Sequence, residues 1–201
     1  MRFISNLCFP LAVCLTLLVT ACSKTEVHTY ERVQGARVDE AYLSPGADFS
    51  RYTRLYAMPL EIYYAEGEDA PTEEDLQRMR SIFRKAFLTA IGDDYEIVKE
   101  PAKNALGVRA SLVDFKSGTV SGDLPIYGRL RTLVANGSLT FLMELSDSVS
   151  GDVLARAADQ EKHGDEACIP ANCAAGWRQA EESAEHWAQL FRDFLDKNLG
   201  R

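Results

Sequence analysis

Cys168-Ile169-Pro170-Ala171-Asn172-Cys173 is the local grouping in this 201-residue chain whose side chains could exchange electrons or hold a metal. Two thiols so close in sequence can close a small loop as a disulfide. That would staple the segment leading into the last helix and restrict the unfolded chain by about 2 kcal/mol. The spacing is not the C-x-x-C of a thioredoxin-like site, so a redox-active pair is the lesser reading. A metal reading adds His163, with Asp165 or Glu166, as H-x4-C-x4-C. Zinc takes such ligands, but a structural zinc site usually uses four at tighter spacing. Other constellations fail on spacing. Gly118-Thr119-Val120-Ser121-Gly122 has its serine one place too late for the nucleophile elbow G-x-S-x-G. No serine is followed three positions on by lysine, and no G-x-x-x-x-G-K-[ST] phosphate cradle occurs. The acid pairs Asp93/Asp94 and Glu181/Glu182 are adjacent in sequence, which does not place them across one scissile bond. His28 and His186 stand apart, and there is no H-E-x-x-H. The expectation is therefore no catalytic residue, no metal and no cofactor. A thiol-redox or metal-dependent enzyme centred on Cys168, Cys173 and His163 is the alternative.

A different chemistry belongs to Cys22. Arg2 supplies a positive start, and Leu7–Val19 an apolar run of 13 residues. That run is too short to cross a bilayer, which takes roughly 20, and reads as a signal segment. Val19-Thr20-Ala21 then places small side chains before Cys22. The arrangement resembles the lipobox of bacterial lipoproteins. The resemblance implies cleavage before Cys22 and acylation, palmitate included, of its thiol and new amine. One acyl chain contributes about 0.8 kcal/mol per buried methylene and holds only marginally; the three chains implied would anchor permanently. Ser23, where an Asp tends to retain such proteins at the inner membrane, implies the outer membrane and a body facing the periplasm. The plainer reading is a cleaved secretory signal with an incidental cysteine, as Cys8 and Cys14 are incidental.

Removing residues 1–21 takes away one Arg and no acid, leaving 180 residues with 21 basic and 30 acidic side chains, a net charge of −9. That length suits one domain with a real core plus a short tether. An acidic surface argues against nucleic acid and against a second, polybasic membrane anchor. With 46% hydrophobic residues the composition is that of an ordinary soluble globule. The expected division is a signal over 1–21, a lipidated tether over 22–50, and a single domain over 51–201. Ser44-Pro45-Gly46 is turn chemistry, and the stretch from Tyr42 is expected to dock on the domain.

The elements that must position everything else follow from periodicity. Leu55–Tyr64 alternates as a first strand, and Pro59, which cannot donate to a ladder, makes it an edge or a bulged strand. Thr72 and Asp75 form a capping box for a helix whose apolar positions are Leu76, Met79, Phe83, Ala86, Phe87 and Ala90, with Gly92 as its stop. Tyr95–Val98, Leu106–Phe115 and Ser138–Ser146 read as strands, and Asp147–Asp152 turns the chain into a partner strand, Val153–Asp159. Trp177, Ala180, Ala184, Trp187, Ala188, Phe191, Phe194 and Leu195 form one wide stripe on a last helix to Leu199. The expected fold is α+β: a twisted, largely antiparallel sheet of about five strands with two main helices packed on one face. The long Gly-rich stretch 116–137, with Tyr127, Arg129 and Arg131, is either a partner-contact loop or an insertion that is partly strand.

The chain is similar to the bacterial lipoprotein family catalogued as domain of unknown function 3313. The similarity rests on the lipobox, on Tyr52, Leu55 and Pro59 of the first strand, on the step Gly92–Val98, and on the hairpin Asp147–Asp159. It runs from roughly Tyr42 to Leu199. It implies a lipid-anchored α/β domain and brings no catalytic residues. The expected partners are the membrane, through the anchor, and an envelope protein at the 116–137 loop or the open edge of the first strand, with no nucleic acid.

Overall fold

A computed structural model describes residues 30–64, 71–114, 139–160 and 176–199. The elements are β1 (Glu31–Arg32), β2 (Glu40–Leu43), β3 (Arg54–Ala57), β4 (Glu61–Tyr64), α1 (Glu73–Ile91), β5 (Glu96–Val98), β6 (Ala105–Asp114), β7 (Thr140–Asp147), β8 (Val153–Gln160) and α2 (Gly176–Asn198). Helix α1 starts where its chemistry requires. Thr72 Oγ1 accepts from the Asp75 amide at 3.2 Å, and Asp75 Oδ2 accepts from the Thr72 amide at 3.0 Å. Gly92, at φ +59°, ends the helix with its amide on the Leu88 carbonyl.

The sheet is wider and more mixed than expected. Among the described residues it has eight strands in the order β1-β2-β8-β7-β6-β3-β5, with β4 also beside β6. Strands from β1 to β6 along this path pair antiparallel, but β3 pairs parallel with both β5 and β6, and β4 parallel with β6. Parallel pairing follows from α1, a crossover that returns the chain in the direction it left. Two strands come from the stretch expected as a tether, which is folded from Tyr30 onward: Glu40–Leu43 pairs with Ala155–Ala158. The first strand is broken in two at Pro59. Ala57 faces Val108 while Glu61 faces Ser111, so three residues stand against two and the strand bulges.

Both helices lie on one face of the sheet. Phe141 of β7 stacks on Trp187 of α2 at 4.9 Å and meets Phe83 and Phe87 of α1 at 5.9 and 5.8 Å. Phe191 meets Phe87 at 6.0 Å. Burying each such ring contributes on the order of 1.5–3 kcal/mol. Helix α1 has no basic residue in its last turn. Arg192 of α2 supplies that charge, donating to the Ala90 and Ile91 carbonyls at 3.2 and 3.0 Å, to Asp94 at 2.7 Å and to Asp196 at 2.8 Å. The guanidinium also lies over the Tyr95 ring, whose hydroxyl donates to Asp196.

The β7–β8 hairpin is tied down by the residues that make its sequence distinctive. Asp147 Oδ1 accepts from the Val149 and Ser150 amides at 3.0 Å each, and Oδ2 accepts from the buried Tyr52 hydroxyl at 3.1 Å. The Ser150 and Val149 amides hold the Asp147 carboxyl below its ordinary value, with Tyr52 and Arg51 assisting. Burial pushes the Tyr52 phenol up. Ser148 Oγ bridges to the Ala102 backbone, fixing the β5–β6 connection to the same corner.

Candidate functional site

Two helices packed 8–10 Å apart cover about four strands spaced 4.8 Å. Among the described residues the β2–β8 end of the sheet has no helix of its own. The sequence places small side chains there: Ala41 pairs with Ala157, and Leu43 with Ala155. A low floor, with no third helix over it among the described residues, leaves a cavity of about 470 Å³. The sheet supplies its floor through Ala41, Leu43, Met143, Leu145, Ala155 and Ala157. The inner face of α2 forms one wall with Leu190, Phe191 and Phe194, and the β1–β2 connection, Val33 to Val38, folds up as the other. Its size falls in the range of small-molecule sites, roughly 300–1,000 Å³. A closed, empty void of this size would cost on the order of 10 kcal/mol at about 24 cal/mol per Å³, as much as a whole domain's stability. The cavity opens to the surface instead, so solvent or a ligand fills it.

Polar groups sit at its ends. Arg37 of the β1–β2 connection is paired with Asp193 of α2 across the mouth. Asp193 also accepts from Gln189 Nε2 at 2.8 Å. Gln189 first, and Arg37 second, hold its carboxyl below the ordinary value. Lys197, one turn further along α2, is exposed and lines the same rim, with no ion-pair partner among the described residues. At the other end lies Asp159, 5% exposed. It accepts from the Trp187 indole N–H at 2.9 Å and from the Asp39 amide at 3.0 Å, while Asp39 accepts from the Gln160 amide at 3.0 Å. This exchange fixes the base of the β1–β2 connection to β8 and orients Trp187.

The far face of the sheet carries charge. Tyr42, Arg156, Glu144 and Arg109 stand in one cross-strand row. Glu144 pairs with Arg156 at 2.9 Å and Arg109 at 3.6 Å. Nearby, Tyr63 donates to Glu61 at 2.9 Å, and burial, with that carboxylate second, pushes its phenol up to about 12.

Most side chains that the sequence singled out are not in this site. Cys22, Tyr127, Arg129, Arg131, His163, Cys168 and Cys173 lie outside the described residues, as do His28 and Gly118–Gly122. The adjacent acids are surface partners: Asp94 is held by Arg192 at 2.7 Å and Glu182 by Arg178 at 2.6 Å. His186 is 60% exposed and 4.0 Å from Asp159. Among the described residues no three His, Cys, Asp or Glu side chains are grouped to hold a metal ion, and no helix is long and apolar enough to cross a membrane. Sequence reasoning missed the cavity. Its only local signal was alternate small residues, Ala155 and Ala157, in a strand otherwise read as a hairpin partner.

The family described as Protein of unknown function (DUF3313) matches residues 29–191, and the chain belongs to it. No curated protein matches the chain. Among solved structures, the PelC dodecamer from Paraburkholderia phytofirmans is 14% identical, covering 75% of this chain and 96% of its own, with a TM-score of 0.39. A DUF4136 family protein from Bacteroides thetaiotaomicron is 12% identical over 80% and 97%, with a TM-score of 0.36. A Xanthomonas campestris protein of family DUF330 is 11% identical over 77% and 93%, with a TM-score of 0.33. At these scores the likeness is loose, and no function is carried over from any of them.

Proposed function

We propose that this chain is a lipid-anchored envelope lipoprotein whose folded body binds a component of the envelope without transforming it. The anchor part of the reading rests on Arg2, the apolar run Leu7–Val19 and the small residues before Cys22. Ser23 favours the outer membrane, with the body facing the periplasm. There Cys168 and Cys173 would close a structural disulfide. The observation that carries the binding part is the apolar cavity between the β1–β2 connection and α2, whose lining is mostly hydrocarbon with a few charges at the rim. A protein partner would dock at Tyr127, Arg129 and Arg131, or along β4, which among the described residues is paired only with β6.

Intact-mass measurement and membrane fractionation of the expressed chain, beside Cys22→Ala, test the anchor. The wild type is expected in the outer-membrane fraction with an acylated Cys22, and the variant is expected to lack the acyl mass. An unmodified wild-type terminus, or wild-type protein free in the periplasm, would overturn it. For the binding role, crosslinking in cells followed by purification should return one specific component. The return of none counts against it.

A further inference from the structure

We infer that the cavity beside α2 holds the hydrocarbon tail of a single-chain anionic amphiphile, a fatty acid or a lysophospholipid, with its headgroup at Lys197 and Arg37. The inference deepens the binding role proposed above and rests on it for the supply of ligand.

Four observations converge. The floor of Ala41, Ala155 and Ala157 under Phe191 and Phe194 offers a tail contact on both sides and gives water almost no partners. The unbalanced charge is at one end: Arg37 is paired with Asp193 and Arg156 with Glu144, Asp159 at the far end accepts from Trp187 and Asp39, and Lys197 leaves an excess positive charge at the rim. A neutral ligand would leave that charge unused, and a cation would be repelled. The wall facing α2 is adjustable. Gln34, Gly35 and Arg37 are exposed, Gly35 sits at φ +69°, and the connection leans on the sheet through β2. Swinging it outward parts the exposed Arg37–Asp193 pair, while the Asp39–Asp159 exchange holds its base to β8. Finally, Tyr30 lies eight residues after Cys22, a span of at most about 30 Å when extended. An acylated Cys22 would hold the cavity within reach of a bilayer that contains such amphiphiles.

The test uses the full chain as expressed in its host, reconstituted in phosphatidylcholine nanodiscs, with empty nanodiscs as the blank for partitioning. The probe is 11-(dansylamino)undecanoate, read by fluorescence. Saturable binding above the blank, one probe per chain, is expected. Palmitate and lysophosphatidylglycerol are the competitors. Displacement by one alone names the source, by both means that the site reads only tail and charge, and by neither overturns the proposal. Ala157→Trp fills the floor and is expected to weaken the probe about tenfold or more. Lys197→Glu, an exposed change that leaves the core intact, is expected to weaken it about tenfold while dodecanol still displaces it at the wild-type concentration. Unchanged binding in both variants, or no saturable signal, refutes the assignment. Intact mass on the same sample reports Cys22 separately. A chain that binds but is not acylated sinks the anchor alone, and one that is acylated but does not bind sinks this site alone.

Discussion

Asp159→Ala is the sharpest perturbation of the corner that builds the cavity. The wild-type carboxylate accepts from the Trp187 indole N–H and the Asp39 amide, at 2.9 and 3.0 Å. Trp187 is 2% exposed, so its stranded N–H would find no water. An orphaned buried donor costs about 1–3 kcal/mol. Asp39 is only half buried and recovers part of its loss, which brings the expected total to about 3 kcal/mol. For a domain of this size that is a fall in melting midpoint of roughly 6–12 °C. Asp159→Asn keeps the volume but turns one acceptor into a donor, so whichever way the amide flips one N–H faces another; it should lie between wild type and Ala. In a Trp187→Phe background, where one donor is already gone, Asp159→Ala should cost at least about 1 kcal/mol less. Urea unfolding followed by far-UV circular dichroism measures the wild type and all four variants. An unchanged midpoint for Asp159→Ala, or a cycle additive to within about 0.5 kcal/mol, would refute the claim that this carboxylate seats Trp187.

Two further outcomes follow from the opposite end of the sheet. A Cβ on Gly107 would stand 2.7 Å from Ser146 Oγ and 3.5 Å from Met58 Cε. Gly107→Ala should therefore destabilise by about 1–2 kcal/mol even after alanine's better strand entropy, and Ser146→Ala should abolish most of that cost in a double variant measured by thermal unfolding. The Asp147 carboxyl is held below its unfolded value near 3.8. Its contribution is present in full above that value and disappears as pH falls through the lower folded one. Asp147→Asn should consequently flatten the loss of stability between neutral pH and pH 3 in urea titrations, and an acid limb as steep as that of the wild type would contradict the assignment.

What was legible in the sequence was what depends on near neighbours. The Thr72–Asp75 box, the Gly92 stop, the α2 stripe and the turn at Asp147–Asp152 each rest on contacts within a few residues, and each is found where its spacing placed it. Pro59 announced a break in the first strand for a reason intrinsic to its ring. Strands β1 and β2 were not legible. They have two and four residues, and Glu40, Ala41, Tyr42 and Leu43 become strand only because β8, more than a hundred residues on, supplies the ladder. The parallel pairing of β3 was hidden for the same reason. The cavity is the extreme case, since its walls come from β1–β2, β7, β8 and α2, and the alternate alanines of β8 are a faint local mark of it. Arg192 carried no signal either, because the helix end it completes belongs to a different helix.

A force that enters the folded body at Tyr30 first meets the Arg156 guanidinium over that ring and the two-residue ladder of β1. Next along the chain comes the wall of the cavity itself, Val33 to Val38, held by the Arg37–Asp193 clasp and, at its base, by the Asp39–Asp159 exchange, and after it the β2–β8 rungs. Antiparallel rungs pulled from one end yield one at a time rather than together. Tension entering at Tyr30 would thus be felt as a widening of the space beside α2 before the aromatic interior sensed it, so that the body would yield first along this edge.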